Sequence, residues 1–371
     1  MFLALKEMAR AKARFGLLIA AIGMLVFLIL FQQSLQNGLL TSFVGAIRNQ
    51  SAPVIVYSVD GQRVIQASVI TPDLEQQVRA TAGVAAVGRI GQGTFTARTA
   101  DGELFDASVL GYERADLGAP TTLVAGRLPA APGEAVGSDA DADRGFGLGD
   151  VITLQPGGAT LTVVGLARDA QLNAGPTLFT AYDDYVAAVR SVNPDALEPL
   201  PNVLAVAPAT GSAEVVTAIN ARSVDLDALT RTDAADSTPG VSQVRQSFAV
   251  IFLLYGLVIP CVTGLFFLII TFQKSGTLTL LHAIGAPARR LVGSLLIQAA
   301  IIVTAGYLIG LALYAPLSQR RLGGIALRFE TGAVIFWAVL LTALGLASSL
   351  LSARRVLAID PIEATTGGAN R

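Results

Sequence analysis

Two residue types that often carry chemistry occur once each in this chain of 371 residues, as His282 and Cys261. His282 stands away from any carboxylate pair, so it has no partner to orient a catalytic proton and no companion ligand for a metal; a contact or surface histidine fits better. Cys261 lies inside an apolar run, where it behaves as a small hydrophobe and not as a nucleophile. Being alone, it also excludes an intrachain disulfide. No Gly-x-x-x-x-Gly-Lys-Ser/Thr loop occurs anywhere, so hydrolysis of ATP by that route is excluded. No catalytic constellation and no metal site is expected; what remains is recognition of apolar groups.

Two clusters could provide it. Residues 278–286 are apolar yet fall in a loop bracketed by Lys274 and Arg289. A short helix there would expose Leu278, Leu280, Leu281 and Ile284 to water unless a partner covers them. Gly285 ends such a helix and Pro287 prevents its continuation. The alternative is a plain extension of a neighbouring span. The second cluster joins Phe31, Gln32 and Leu35 to Phe248, Phe252 and Tyr255, mixing aromatics and amides where an amphiphile could lodge. Anchoring at a membrane interface explains the same residues. The Tyr255 phenol could also ligate a metal.

The elements that must position these residues are membrane spans. The chain is 53% hydrophobic and only 14% charged, against about 25% charged in soluble proteins. The runs 15–36, 248–273, 291–314 and 333–352 are uncharged apart from their edges and long enough to cross a bilayer core of about 30 Å. An uncleaved anchor suits the first run, because Gln-Gln-Ser-Leu-Gln-Asn-Gly follows it without a small-x-small cleavage pattern. Lys6, Arg10, Lys12, Arg14, Lys274, Arg289, Arg290, Arg354 and Arg355 fall on one side, against Arg320, Arg321 and Arg328 on the other. Nine against three places both termini and the segment 274–290 in the cytoplasm by the positive-inside bias. Residues 1–14 suit an interfacial helix with Phe2, Leu5 and Ala9 on one stripe, or simply a solvated basic start. Residues 315–332 form a short outer loop and 353–371 a cytoplasmic tail. Pro260 and Gly264 interrupt the second span; Gly306 and Gly310, one turn apart in the third, favour close helix approach and, secondarily, a hinge.

Residues 37–247 are electrically different. They hold 23 acidic and 13 basic residues, leaving 4 acidic and 13 basic elsewhere. This block is an extracytoplasmic domain too acidic for nucleic acid and large enough to fold without staples. Its short segments broken by Gly, Pro and Asp read as α+β. The pattern predicts a hairpin about Asp60-Gly61, a helix capped by Thr71 with Pro72 in its first turn, and a strand, helix, strand order over 203–229. An inserted β subdomain covers about 94–182, and 233–240 is a flexible connection. The fold class is thus membrane α-helical, four transmembrane helices, with a large extracytoplasmic α+β domain.

Several strings in this order resemble a known family. Leu123-Val124-Ala125-Gly126-Arg127-Leu128-Pro129 precedes Pro132-Gly133-Glu134-Ala135-Val136, then Gly147-Leu148-Gly149-Asp150 and Leu161-Thr162-Val163-Val164-Gly165-Leu166. Lys274 to Ala286 and Arg354-Arg355 with Asp360-Pro361-Ile362-Glu363-Ala364 follow. Together they resemble the macrolide-exporter and lipoprotein-release type of ABC transporter permease, over nearly the whole chain. Size and the plain four-span layout are closest to the exporters of haem and of glycolipids.

The resemblance implies a bacterial plasma-membrane permease that acts as a homodimer in contact with membrane lipid. It implies a separate ABC ATPase subunit that binds ATP and Mg, this chain holding no cofactor. Coupling to that subunit would run through Leu278, Leu280, Leu281, His282, Ala283, Ile284, Gly285, Ala286 and Arg289. Gly276-Thr277-Leu278 stands where the family carries an acidic residue, so contacts there would differ from the family's. The cargo would be hydrophobic or amphipathic: haem, lipid or drug. An alternative with the same architecture is a signalling scaffold whose outer domain activates a cell-wall hydrolase.

Overall fold

The structure is a computed structural model that describes residues 12–195, 199–273, 288–318, 321–322, 325–327 and 329–357. Two compact units emerge, one built from the long apolar helices and the other from 37–245 with 321–326.

Among the described residues, four helices are long and apolar enough to cross a membrane: α1 (Lys12–Arg48), α6 (Val241–Gln273), α7 (Ala288–Tyr314) and α8 (Thr331–Leu357). Their shared core holds Ile22, Val26, Ile29 and Leu30 of α1, Ile302 and Val303 of α7, and Trp337 and Leu341 of α8. The glycines of α7 explain how closely it approaches α1. A Cβ placed at Gly306 would lie 2.7 Å from Ile22 Cγ2, and one at Gly310 would lie 2.6 Å from the Gly23 carbonyl oxygen. Only bare backbone fits there, the small-residue packing expected when helices associate in lipid.

Helix α1 does not stop at residue 36 as the polar run Gln32–Asn37 suggests. It continues to Arg48, a rise of about 55 Å. Leu40, Val44 and Ile47, spaced i, i+4, i+7, are buried in the core of the second unit, and that burial outweighs the weak helix propensity of Asn37 and Gly38. Helix α6 likewise starts at Val241, before the expected 248, because Val241 and Val244 pack on the same core.

Among the described residues, the second unit contains a sheet of ten strands. An open antiparallel layer runs β10 (Leu226–Thr230), β1 (Val54–Ser58), β9 (Val203–Pro208) and the first half of β2 (Val84–Arg98). In β1, Val54 and Val56 face the side covered by α2 (Pro72–Arg79) and α4 (Ser212–Arg222), while Ile55 and Tyr57 face the other core. Alternation with both faces buried is why the strand reads as an unbroken apolar run. Thr71 caps α2, its hydroxyl accepting from the Leu74 amide.

The second half of β2 enters a ring of pairings through β3 (Leu104–Tyr112), β8 (Thr177–Ala181), β5 (Glu134–Ser138), β7 (Thr160–Ala167) and β6 (Val151–Gln155), which returns to β2. The ring closes on Phe95, Val109, Phe146, Ile152, Leu154 and Leu178, a small barrel without free edges on those six strands. Strand β4 (Leu123–Gly126) pairs outside it with β7. The boundary expected at 94 therefore falls inside a continuous strand.

Three further expectations are corrected. Asp60-Gly61 does not turn a hairpin: both edges of β1 are taken by β9 and β10, and the chain instead passes through single turns at Val59–Gly61 and Ile65–Ala67. Residues 233–240 are not a plain flexible connection, because α5 (Arg231–Ser237) forms there with Thr230 as its cap, its hydroxyl accepting from the Asp233 amide at 3.2 Å. Within the expected loop 315–332, β11 (Arg321–Leu322) pairs antiparallel with β12 (Ile325–Ala326).

Candidate functional site

The apolar cluster proposed as a substrate rim sits on α1 and α6. Phe31, Gln32 and Leu35 follow one another along one part of α1, each half-buried. Phe31 stacks on Phe27 one turn earlier, with ring centroids 6.0 Å apart and an interplanar angle of 16°. On α6, Phe248 and Phe252 are 6.4 Å apart. Phe252 and Tyr255 pack against the helical core, as does Phe27. Among the described residues, no ring contact joins Phe31 to the aromatics of α6.

The sequence reading missed the partner that Phe252 does have. Trp337 of α8, the chain's one tryptophan, lies 5.5 Å from the Phe252 ring at a tilt of 47°, and Phe336 meets Trp337 edge-on at 5.5 Å. Tilted rings at this spacing match the arrangement favoured by aromatic quadrupoles. Trp337 is buried at 5% exposure, whereas Phe336 is 59% exposed, so the cluster runs from core to surface of the helical unit. The available signal was the pair Phe336-Trp337 near the start of an uncharged span, the usual place for interfacial aromatics.

The coupling residues Leu278, Leu280, Leu281, His282, Ala283, Ile284, Gly285 and Ala286 lie outside the described residues. Arg289 is the second residue of α7. Cys261 is exposed on α6 and forms no disulfide. Among the described residues no group of three or more His, Cys, Asp or Glu could hold a metal ion. The arrangement offers aromatic and aliphatic surface, suited to apolar recognition.

In the second unit, the strings that carried the resemblance enclose one tight feature. The segment after β4 folds back so that Arg127 grips Glu134 at the start of β5, and the amides of Ala130 and Ala131 donate to the same carboxylate. Elsewhere in this unit, Asp236 Oδ1 accepts from Arg48 at 2.8 Å and from Arg245 at 2.6 Å. One carboxylate on α5 thus ties the last residue of α1 to the first turns of α6.

No protein-family model matches the chain. Over 107 residues it is 31% identical to a Staphylococcus epidermidis chain assigned as a hemin transport system permease protein, HrtB, a stretch that is 29% of this chain and 31% of the relative. The chain resembles ABC transporter permeases. It thus spans about a third of the length of the curated relative that it matches. Among solved structures, the periplasmic region of MacB from Actinobacillus actinomycetemcomitans aligns at 12% identity and a TM-score of 0.37, covering 52% of this chain and 96% of that one. The extracellular domain of the noncanonic ABC-type transporter YknZ from Gram-positive bacteria aligns at 12% identity and a TM-score of 0.35, covering 48% and 99%.

Proposed function

We propose that this chain is the permease subunit of an ATP-binding cassette exporter that works as a homodimer with a separate ATPase subunit. It moves a hydrophobic or amphipathic substrate, haem, lipid or drug, out of the membrane. The observation that carries the reading is the order of parts: one apolar helix, a folded domain of about two hundred residues, then three apolar helices, with no nucleotide-binding loop in the sequence. Such a chain needs an external motor.

In this reading the domain 37–247 lies outside the cytoplasm, both termini lie inside, and residues 278–286 with Arg289 meet the ATPase. The aromatic groups around Phe31 and around Phe252 and Trp337 receive the apolar part of the substrate. Four spans enclose little space, so loading from the side is favoured over passage through a channel. The hemin assignment of the staphylococcal relative makes haem the first cargo to try.

The test is ATP hydrolysis in reconstituted membranes. The chain alone should show no turnover above background, and the chain with its ATPase subunit should hydrolyse ATP faster when an amphiphile is supplied. Substantial turnover by the purified chain alone would end the proposal. A stable complex with a cell-wall hydrolase, and no efflux, would move the chain to the scaffold reading.

A further inference from the structure

Between α6 and α8, inside the helical unit, is a cleft of about 520 Å³ lined by Pro260, Cys261, Gly264, Leu265 and Leu268 with Ser348 and Leu351. Its shape follows from the sequence. Pro260 has no amide hydrogen to give the preceding turn, so α6 is open to distortion there. At the same residue the Pro260 carbonyl accepts from the Ser348 hydroxyl at 2.7 Å, which pins the two helices together at that level. One turn further along, Gly264 contributes no side chain, and the helices are walled by leucines instead of filled by them.

We propose that this cleft binds one hydrocarbon chain, the acyl tail of a bilayer amphiphile. The lining decides the chemistry. Among the described residues its lining holds no charged residue, and the polar side-chain groups there are the Cys261 thiol and the Ser348 hydroxyl, the latter already donating to Pro260. A tetrapyrrole or bile-acid type of ligand would bring carboxylates that find no cation among these described lining residues, and buried anions without partners are costly. Water is disfavoured for the same reason, since apolar cavities tend to stay dry. The entrance is lateral: Cys261 is exposed, Leu265 is 60% exposed and Leu351 is 65% exposed. A chain can therefore slide in from the surrounding lipid without opening the bundle. The proposal requires that α6 and α8 cross a bilayer, not that the protein exports anything, so it can fail or succeed apart from the function proposed above.

The experiment uses the full chain in lipid nanodiscs doped with palmitic acid carrying a photoactivatable diazirine near the end of its tail. Cross-linked residues are then mapped by mass spectrometry. The proposal expects label on Leu265, Leu268 and Leu351 several-fold above that on the exposed Val250, Leu253, Leu254 and Leu257 of the same helix α6. It also expects that excess to vanish in Gly264→Leu, which fills the cleft, and to fall in Leu351→Phe, a wall residue whose exposure makes it tolerant. An even spread of label over both sets, or an excess unchanged in both variants, overturns the site in favour of ordinary surrounding lipid. Rapid Cys261–Cys261 disulfide formation under copper-phenanthroline oxidation, with no cleft label, overturns it in favour of a second copy covering this face.

Discussion

Arg127 and Glu134 face each other as a two-limbed fork, Nη1 to Oε2 and Nη2 to Oε1, both at 2.6 Å. The carboxylate is completed by the amides of Ala130 at 2.8 Å and Ala131 at 3.1 Å. The arginine hydrogen bonds, and then the Ala130 amide, hold Glu134 down at about 2. The string Gly126-Arg127-Leu128-Pro129 followed by Pro132-Gly133-Glu134 is thereby given a physical meaning: it closes a loop around one anion.

Because that pKa is depressed from about 4.3 in an unfolded chain, the fork's contribution is fully present above the unfolded value and is lost as pH falls through about 2. Thermal melts of the full chain by circular dichroism should show a loss of stability on acidification across that window. Glu134→Gln should be less stable at neutral pH and should lose less across the same window. An identical acid dependence in the variant would remove Glu134 from the account.

Asp236 makes a second prediction. Burial raises its carboxyl pKa, but the neighbouring Arg245 and Arg48 outweigh that and leave it lowered. Asp236→Asn should therefore destabilise the chain at neutral pH by about 1 kcal/mol, the scale of a partly exposed pair. The difference should shrink at about 1 M salt, where screening is short-ranged. A loss that is independent of salt would mean that packing of α5, and not the charge, ties Arg48 to Arg245.

The close approach of α1 and α7 is tested by adding one side chain. In Gly310→Val the new Cβ meets Gly23 O at 2.6 Å and Val26 Cβ at 2.7 Å, an overpacking that costs about 1 to 3 kcal/mol. Gly256→Ala on α6, where an added Cβ meets nothing within 4 Å, is the control and should be neutral or slightly stabilising. Detergent melts of both variants give the comparison; equal effects would contradict the backbone contact.

Trp337 is a built-in reporter for the aromatic rim, being the one tryptophan in the chain and 5.5 Å from Phe252. A haem or lipid-like substrate that binds there should quench or shift its fluorescence saturably. Phe252→Ala should weaken that response several-fold, while Val224→Ala, at a residue 87% exposed in the other unit, should not. Unsaturable quenching would point to partition into lipid instead.

What the sequence disclosed follows from which signals are local. Long uncharged runs announce α6, α7 and α8, because the cost of leaving water depends on composition alone. Thr71 before Pro72 announces a helix start because the cap acts within one turn. The end of α1 was hidden: Gln32 to Gly38 looks like the close of a span, and only burial of Leu40, Val44 and Ile47 against residues far along the chain carries the helix on. Asp60-Gly61 misled for a related reason, since the strands that take the edges of β1 come about 150 residues later. The closing of β6 onto β2 is equally non-local. At the candidate site, Phe248, Phe252 and Tyr255 were legible as aromatics on one helix, whereas Trp337, the neighbour of Phe252, belongs to another helix and no spacing rule connects the two. The α5 cap was available, as Thr230 three residues before Asp233, but was masked by a run of turn-forming residues.

All functional readings rest on the acidic domain between the first two spans lying outside the cytoplasm. The direct measurement is labelling of intact cells with a membrane-impermeant maleimide, using Val224→Cys in a Cys261→Ser background. The account predicts that Val224→Cys reacts fully before the cells are broken. Reaction only after lysis would place the domain inside and contradict both the exporter and the scaffold.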